Sequence, residues 1–165
     1  MNSRDRARVA RAYRELAPAV LGYLRASRVE DPEDVLGEVF VQVVRDIKRF
    51  RGDDAALRRW VFSVAHNRAM DTHRRRTRRP LVVADPPSES AVIAPVEPFD
   101  AELLAALDRF TPDQREVVVL RFVADLSLDD VARLTGRTVG AVKALQHRGL
   151  AALELALAPQ EQPAR

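Results

Sequence analysis

Five arginines crowd the six residues Arg74–Arg79, and Asn67 precedes them. Guanidinium groups make bidentate phosphate contacts and stack on bases, while a carboxamide can pair with a base edge. A charge run is often no more than a solvated face, but the cluster exceeds what a helix end needs to balance its dipole, which brings a nucleic-acid contact into consideration. A second set, Arg137 and Thr138 with Lys143, Gln146, His147 and Arg148, strings cations and hydrogen-bonding groups along a short stretch. Nothing comparable supports catalysis. With no Cys there is no thiolate zinc site and no thiol nucleophile, which fits a reducing compartment. The three His are His66, His73 and His147. The first two share a helix face but lie about 10.5 Å apart along its axis, too far for one metal without other ligands. No Gly-rich phosphate loop occurs either, so the expectation is a protein without catalytic residues, metal or cofactor.

The charge distribution separates these two sets. Of 165 residues, 27 are Lys or Arg and 24 Asp or Glu, for a net charge of only +3. Residues 1–80 hold 19 basic and 11 acidic side chains, residues 81–100 none and four, and residues 101–165 eight and nine. A basic part, an acidic middle and a nearly neutral part follow one another, and an anionic partner meets the first. Five of the ten prolines lie in Pro80–Phe99, where lost backbone donors and fixed φ forbid a long helix. This stretch reads as an extended, semi-rigid linker of at most roughly 60 Å. The start of the chain is charged, and no window approaches the roughly 18 apolar residues of a membrane span, so the expected location is the cytoplasm.

The elements that must position the arginines follow from helical periodicity, and the six glycines and 5% aromatic content argue against a many-stranded fold. A first helix, about residues 6–26, carries Val9, Tyr13, Leu16, Val20, Leu21 and Leu24 as its buried stripe. A second opens at Asp31-Pro32, with Asp31 as cap and Pro32 in the first position, and ends near Phe50-Arg51-Gly52. Its Leu36, Val39, Phe40, Val43, Val44, Ile47 and Phe50 fall in one arc, a core face. Asp34, Glu38, Val41 and Arg45 fall opposite; a valine among charges is usually incidental, and the sharper reading is a docking surface for a protein. A third helix follows Gly52-Asp53-Asp54 under an Asp cap. Its inner stripe is Leu57, Trp60, Val61, Val64 and Ala65, and Arg58, Arg59 and Arg68 begin a basic flank.

The second module starts near Phe99-Asp100 with a short amphipathic helix bearing Leu103, Leu104, Leu107 and Phe110. Thr111-Pro112-Asp113-Gln114 is a capping-box signature, which makes the valine-rich run Val117–Leu120 helical rather than a strand. Ser127 then caps a helix that Gly136 ends, and Thr138 caps another. Val131, Leu134, Val139, Val142 and Leu145 are spaced to hold the two at a steep angle, a helix-turn-helix whose second helix can enter the major groove.

These stretches together resemble the bacterial RNA polymerase sigma-70 family, in its extracytoplasmic-function (ECF) group. The resemblance is carried by Asp34-Val-Leu-Gly-Glu38-Val-Phe40, Phe50-Arg-Gly52-Asp53, Trp60 to Asn67, Gln114-Arg-Glu116 and the helix-turn-helix ending Val142-Lys143. It implies an all-α fold of two small helical domains joined by a Pro-rich acidic linker: residues 1–79 (region 2-like), 80–99 (linker), 100–157 (region 4-like) and a tail, 158–165. It implies that Asp34, Glu38, Val41 and Arg45 dock on the clamp helices of core RNA polymerase. Phe50, Asn67, Arg68, Arg74, Arg75 and Arg76 would take the promoter −10 element, with Asn67 lining a pocket for a flipped-out base. Arg137, Thr138, Lys143, Gln146, His147 and Arg148 would take the −35 element, beside a contact to the polymerase flap. An anti-sigma partner is a further implication. Ala144-Leu145 stand where many members have Ser-Arg, which shifts −35 reading toward the neighbouring side chains. A module of net charge −1 binds free DNA poorly, as suits a factor carried to promoters by the polymerase. The linker's reach corresponds to about 18 base pairs. A stand-alone helix-turn-helix regulator would explain residues 101–155 but not Trp60–Arg79. The use of 25 Arg against two Lys points to a GC-rich genome.

Overall fold

The structure, a computed structural model, describes residues 1–78 and 101–158. Arg79, the Pro80–Phe99 linker and the tail from residue 159 lie outside the described residues. Seven helices occur among those described: α1 (Ser3–Ala26), α2 (Pro32–Asp46), α3 (Asp54–Arg78), α4 (Ala101–Leu107), α5 (Pro112–Phe122), α6 (Leu128–Thr135) and α7 (Val139–Leu157). The first three form one bundle in which α2 runs against α1 and α3. The other four form a helix-turn-helix unit seated against α1 and α3.

Local signals place most of the boundaries. Asp53 caps α3, its carboxylate accepting from the Ala56 amide at 2.8 Å. The capping box at Thr111 and Gln114 is complete in both directions, each bond 3.2 Å. Ser127 and Thr138 accept from the Asp130 and Ala141 amides, both at 3.1 Å. Gly136 ends α6 at φ 69°, a left-handed conformation that costs glycine nothing. At Asp31 the expectation fails: the residue precedes α2, but its own backbone is left-handed at φ 50° and its carboxylate makes no cap bond. Its carbonyl instead accepts from Asp34 and Val35. The second helix stops at Asp46, short of Phe50, and a turn covers the remainder.

The core corrects the α2 stripe at Val44 and at Phe50, which lies beyond the helix and is half-buried. Leu36, Val39, Phe40, Val43 and Ile47 are buried as expected, but Val44 is 40% exposed and Val35 is buried in its stead. The arc that α1 and α3 cover is thus rotated by part of a turn from the hydrophobic arc. Val44 thereby joins Val41, 51% exposed, as an apolar pair on the outer face. In α3 the inner stripe is buried except at Trp60, which is half-buried, and Phe62, His66 and Ala69 are buried as well. A helix buried on two sides serves two neighbours, the bundle and the second unit. In that unit Val117 to Leu120 are all buried, Val131 and Val142 are fully so, and α5 and α7 meet closely at Gly149. Arg115, itself buried, donates to the carbonyls of Leu107 and Phe110 and so closes the end of α4.

Candidate nucleic-acid interface

The loop into α3 is built around two rings. Phe50 and Trp60 stack with centroids 5.1 Å apart and an interplanar angle of 18°, and the Arg8 guanidinium covers the Phe50 ring at 4.8 Å. Gly52 makes the turn possible at φ 149°, where an added Cβ would meet Ala56 at 2.7 Å. Phe50 is therefore held in place by a ring and a cation. Two turns along α3 from Trp60, Asn67 is exposed, with no hydrogen bond to its carboxamide among the described residues.

Arg68 does not stand beside Asn67 as a free cation. It crosses to α2, pairing with Glu38 at 3.3 Å and donating to Gln42 at 3.1 Å. A shallow groove of about 330 Å³ results, lined by Glu38, Val41, Gln42, Arg45, Arg68 and Arg75. The structure thus brings Glu38, Val41 and Arg45 of the expected protein-docking set together with two arginines assigned to the −10 set. Asp34 is exposed on the same helix. Gln42 was missed; its place one turn after Glu38 is the signal that could have found it. Farther along, Arg74 lies 3.6 Å from Asp71 and Arg76 3.5 Å from Glu30. These pairs are exposed and weak, so both arginines and Arg75 stay available to phosphate.

On α7, Lys143, Ala144, His147 and Arg148 are exposed along one face, with Val142 and Gly149 buried opposite. Thr138 is exposed too, its hydroxyl engaged as the helix cap. Two members of the expected set turn elsewhere. Arg137 forms ion pairs with Glu116 at 2.6 Å and Asp113 at 2.8 Å, and only 23% of its side chain is exposed. Gln146 accepts from Arg121 at 2.9 Å. Both brace the helix-turn-helix on α5, which carries their partners Asp113, Glu116 and Arg121 and packs against α7. The face left for base contacts is narrower than the six residues expected.

Beneath the arginines lies a buried polar group that spans both units. The Tyr23 hydroxyl is 2.9 Å from His66 Nδ1, which is 3.6 Å from the Glu116 carboxylate, itself paired with Arg137. Burial holds the Tyr23 phenol well above its ordinary range. Burial also lowers the His66 pKa below its usual 6.5; Glu116 opposes this shift and Arg137 reinforces it. The ring is therefore neutral near pH 7. Among the described residues no cluster of His, Asp and Glu is disposed to hold a metal ion, and no helix is long and apolar enough to cross a membrane.

Two helical units, one with arginines beside a ring-lined loop and one a helix-turn-helix, make up the described residues. Residues 9–79 match the family model for Sigma-70 region 2, and residues 100–153 that for Sigma-70, region 4. The chain is 32% identical over 139 residues to the ECF RNA polymerase sigma factor BldN of Streptomyces coelicolor, covering 79% of this chain but 52% of that protein. It therefore spans about half the length of that relative. It is 31% identical over 132 residues to the ECF RNA polymerase sigma factor SigX of Bacillus subtilis, covering 73% of this chain and 68% of SigX. The fold matches the sigma factor RpoE in its complex with the anti-sigma factor NepR from Bartonella quintana. That match has a TM-score of 0.69 and 20% identity, covering 92% of this chain and 97% of that one. The chain belongs to the sigma-70 family, in its ECF group.

Proposed function

We propose that this chain binds core RNA polymerase, reads the −35 and −10 promoter elements and helps open the promoter, with all catalysis left to the polymerase. The observation that carries this reading is the pairing of an exposed Asn67 with a stacked Phe50–Trp60 loop on one unit and an exposed basic α7 face on the other. Stacked rings beside an amide suit a base taken out of the duplex, whose unstacking costs a few kcal/mol that pocket contacts offset. The α2 face of Asp34, Glu38, Val41 and Arg45, widened by Val44, has the apolar centre and charged rim of a protein interface. We assign it to the clamp helices, and the second unit to the flap.

Arg74, Arg75 and Arg76 supply backbone charge pairing, and Lys143, His147 and Arg148 the −35 contacts. The unit boundaries proposed are 1–79, 80–99, 100–157 and 158–165. The site of action is the bacterial cytoplasm, where polymerase works, and the likeness to RpoE favours an anti-sigma partner. Reconstitution with core polymerase tests the reading. The chain is expected to co-migrate with core and direct start-site-specific transcription, and Asn67→Ala to impair promoter opening with core binding intact. Loss of core binding in that variant would show that Asn67 serves another surface.

A further inference from the structure

No residue of α1 belongs to the sets expected to meet DNA or polymerase, yet α1 holds the loop that the promoter reading uses. The helix buries no side chain before Ala12, so its first turns run on past the closely packed part of the core. Two arginines one turn apart on this stretch, Arg8 and Arg11, reach across to the start of α3. Arg11 pairs with Asp54, the first residue of that helix. Arg8 does more. Its guanidinium lies over the Phe50 ring, 4.8 Å from the centroid, while Trp60 stacks on the same ring at 5.1 Å. The Arg8 guanidinium also donates to the Gly52 carbonyl. Gly52 itself rests against the ring, since a Cβ added there would lie 3.1 Å from Phe50 Cζ. Ring, carbonyl and guanidinium therefore form one three-part contact, joining positions 44 residues apart in the chain. The loop's own bonds are local. The Phe50 amide donates to the Ile47 carbonyl at 3.1 Å, and Arg51 to the carbonyls of Lys48 and Phe50 at 2.8 and 3.0 Å. Arg51, Gly52 and Asp53 are exposed, and exposed backbone held by local bonds opens at little cost.

We propose that Arg8 is a positioning residue for base reading: by holding Phe50 and Gly52 it keeps the loop in one arrangement before a base arrives. A loop free to re-form accepts every base nearly alike, whereas a fixed one penalises those that fit poorly. Arg8 thus acts on base preference, through Phe50, more than on overall affinity. The shape of the group matters as well as its charge. A guanidinium is flat and can lie on a ring while an N–H at its edge meets a carbonyl, whereas an ammonium is a compact, strongly hydrated point charge. This role presupposes the promoter reading, because a base must come to the loop beside Asn67 for the arrangement of Phe50 to matter.

The test uses the full chain reconstituted with core polymerase. This holoenzyme is bound to short single-stranded DNAs of random sequence, and the bound fraction is sequenced. The position at which Asn67→Ala loses the wild-type base preference marks the base that meets this loop. At that position Arg8→Ala and Arg8→Lys are each expected to lower the preference roughly threefold to tenfold, the range that a ring contact and a hydrogen bond return. Arg8→Lys keeps the charge and most of the stem, so a change in that variant comes neither from lost charge nor from a truncated side chain. Arg6→Ala removes the same charge from an exposed position about 200° around the helix from Arg8, and it is expected to leave the preference unchanged. A preference kept in Arg8→Ala overturns the proposal, as does full recovery in Arg8→Lys, which would show that charge alone counts. Even weakening across all sequences, with a salt slope smaller by about 1, also overturns it, because that is the mark of a phosphate contact. If the wild-type holoenzyme shows no base preference, or Asn67→Ala loses none of it, the promoter reading fails first and takes the role of Arg8 with it.

Discussion

Replacing Gly149 by Ala tests how closely the recognition helix sits on α5. In the middle of an exposed helix this change is stabilising by about 1 kcal/mol, because Ala loses less backbone freedom than Gly. Here the added Cβ would lie 2.6 Å from Val118 Cγ2, where carbon atoms rest at about 3.5–4.0 Å. About 1 Å must be found. Val118 is 6% exposed and sits in the body of α5, and a β-branched side chain in a helix has one strongly preferred rotamer. It cannot swing aside, so the helices must shift, at a cost of about 1–3 kcal/mol. The net expectation for Gly149→Ala is a loss of about 0–2 kcal/mol. Val118→Ala alone removes two methyl groups, about 1.6 kcal/mol of transfer plus a cavity, or about 2–3 kcal/mol in all. In the double variant the new methyl enters the space the valine leaves, so its loss should fall about 1–2 kcal/mol short of the sum. Urea unfolding of the four chains, followed by helical circular dichroism, measures all three quantities. A Gly149→Ala chain more stable than wild type by about 1 kcal/mol, with additive behaviour in the double variant, would refute the close approach.

Two further outcomes are expected. The chain should lose stability as pH falls from about 7.5 to 5.5. His66, faced by the Tyr23 hydroxyl, Glu116 and Arg137, has its pKa depressed in the native state. The unfolded chain then binds a proton that the native one resists, a penalty absent well above pH 6.5 and growing below it. A urea titration across that window should flatten in His66→Gln, and equal slopes in both chains would show that His66 is not the group responsible. Lys143→Ala and Arg148→Ala should each weaken holoenzyme binding to a promoter fragment with an intact −35 element. Each should also reduce the magnitude of the salt slope by about 1 if the contact is to phosphate; Gln146→Ala should leave that slope unchanged.

What could be read in the sequence, and what could not, divides by range. The caps at Asp53, Thr111, Ser127 and Thr138 and the glycine at 136 were readable because each acts on an amide within three or four residues. Val44 was misplaced because a hydrophobic arc shows that a helix has a buried side but not how its neighbours are turned against it. Asp31 was misjudged because capping needs an extended backbone, and Asp31 is left-handed. Among the candidate site residues, Asn67, Lys143, His147 and Arg148 are exposed as expected. Arg68, Arg137 and Gln146 are engaged by partners 21 to 30 residues away, and no local pattern announces those. The contact between the units is more remote still, with 80 residues between Arg28 and Asp108. Family resemblance supplied the roles proposed for the two units but was silent on how one rests against the other.

The stacked pair at the mouth of α3 has a practical side. Trp60 is the chain's one tryptophan, half-buried and face to face with Phe50 under the Arg8 guanidinium. Its emission therefore reports on a single loop, the one beside Asn67, with no background from the helix-turn-helix. Any event that draws Phe50 away from its partner, whether a base wedging in or Arg8 leaving for a phosphate, changes the polarity around that indole. Under the function proposed for this loop, the molecule carries its own optical gauge of promoter melting, and no label need be attached to follow that step in real time.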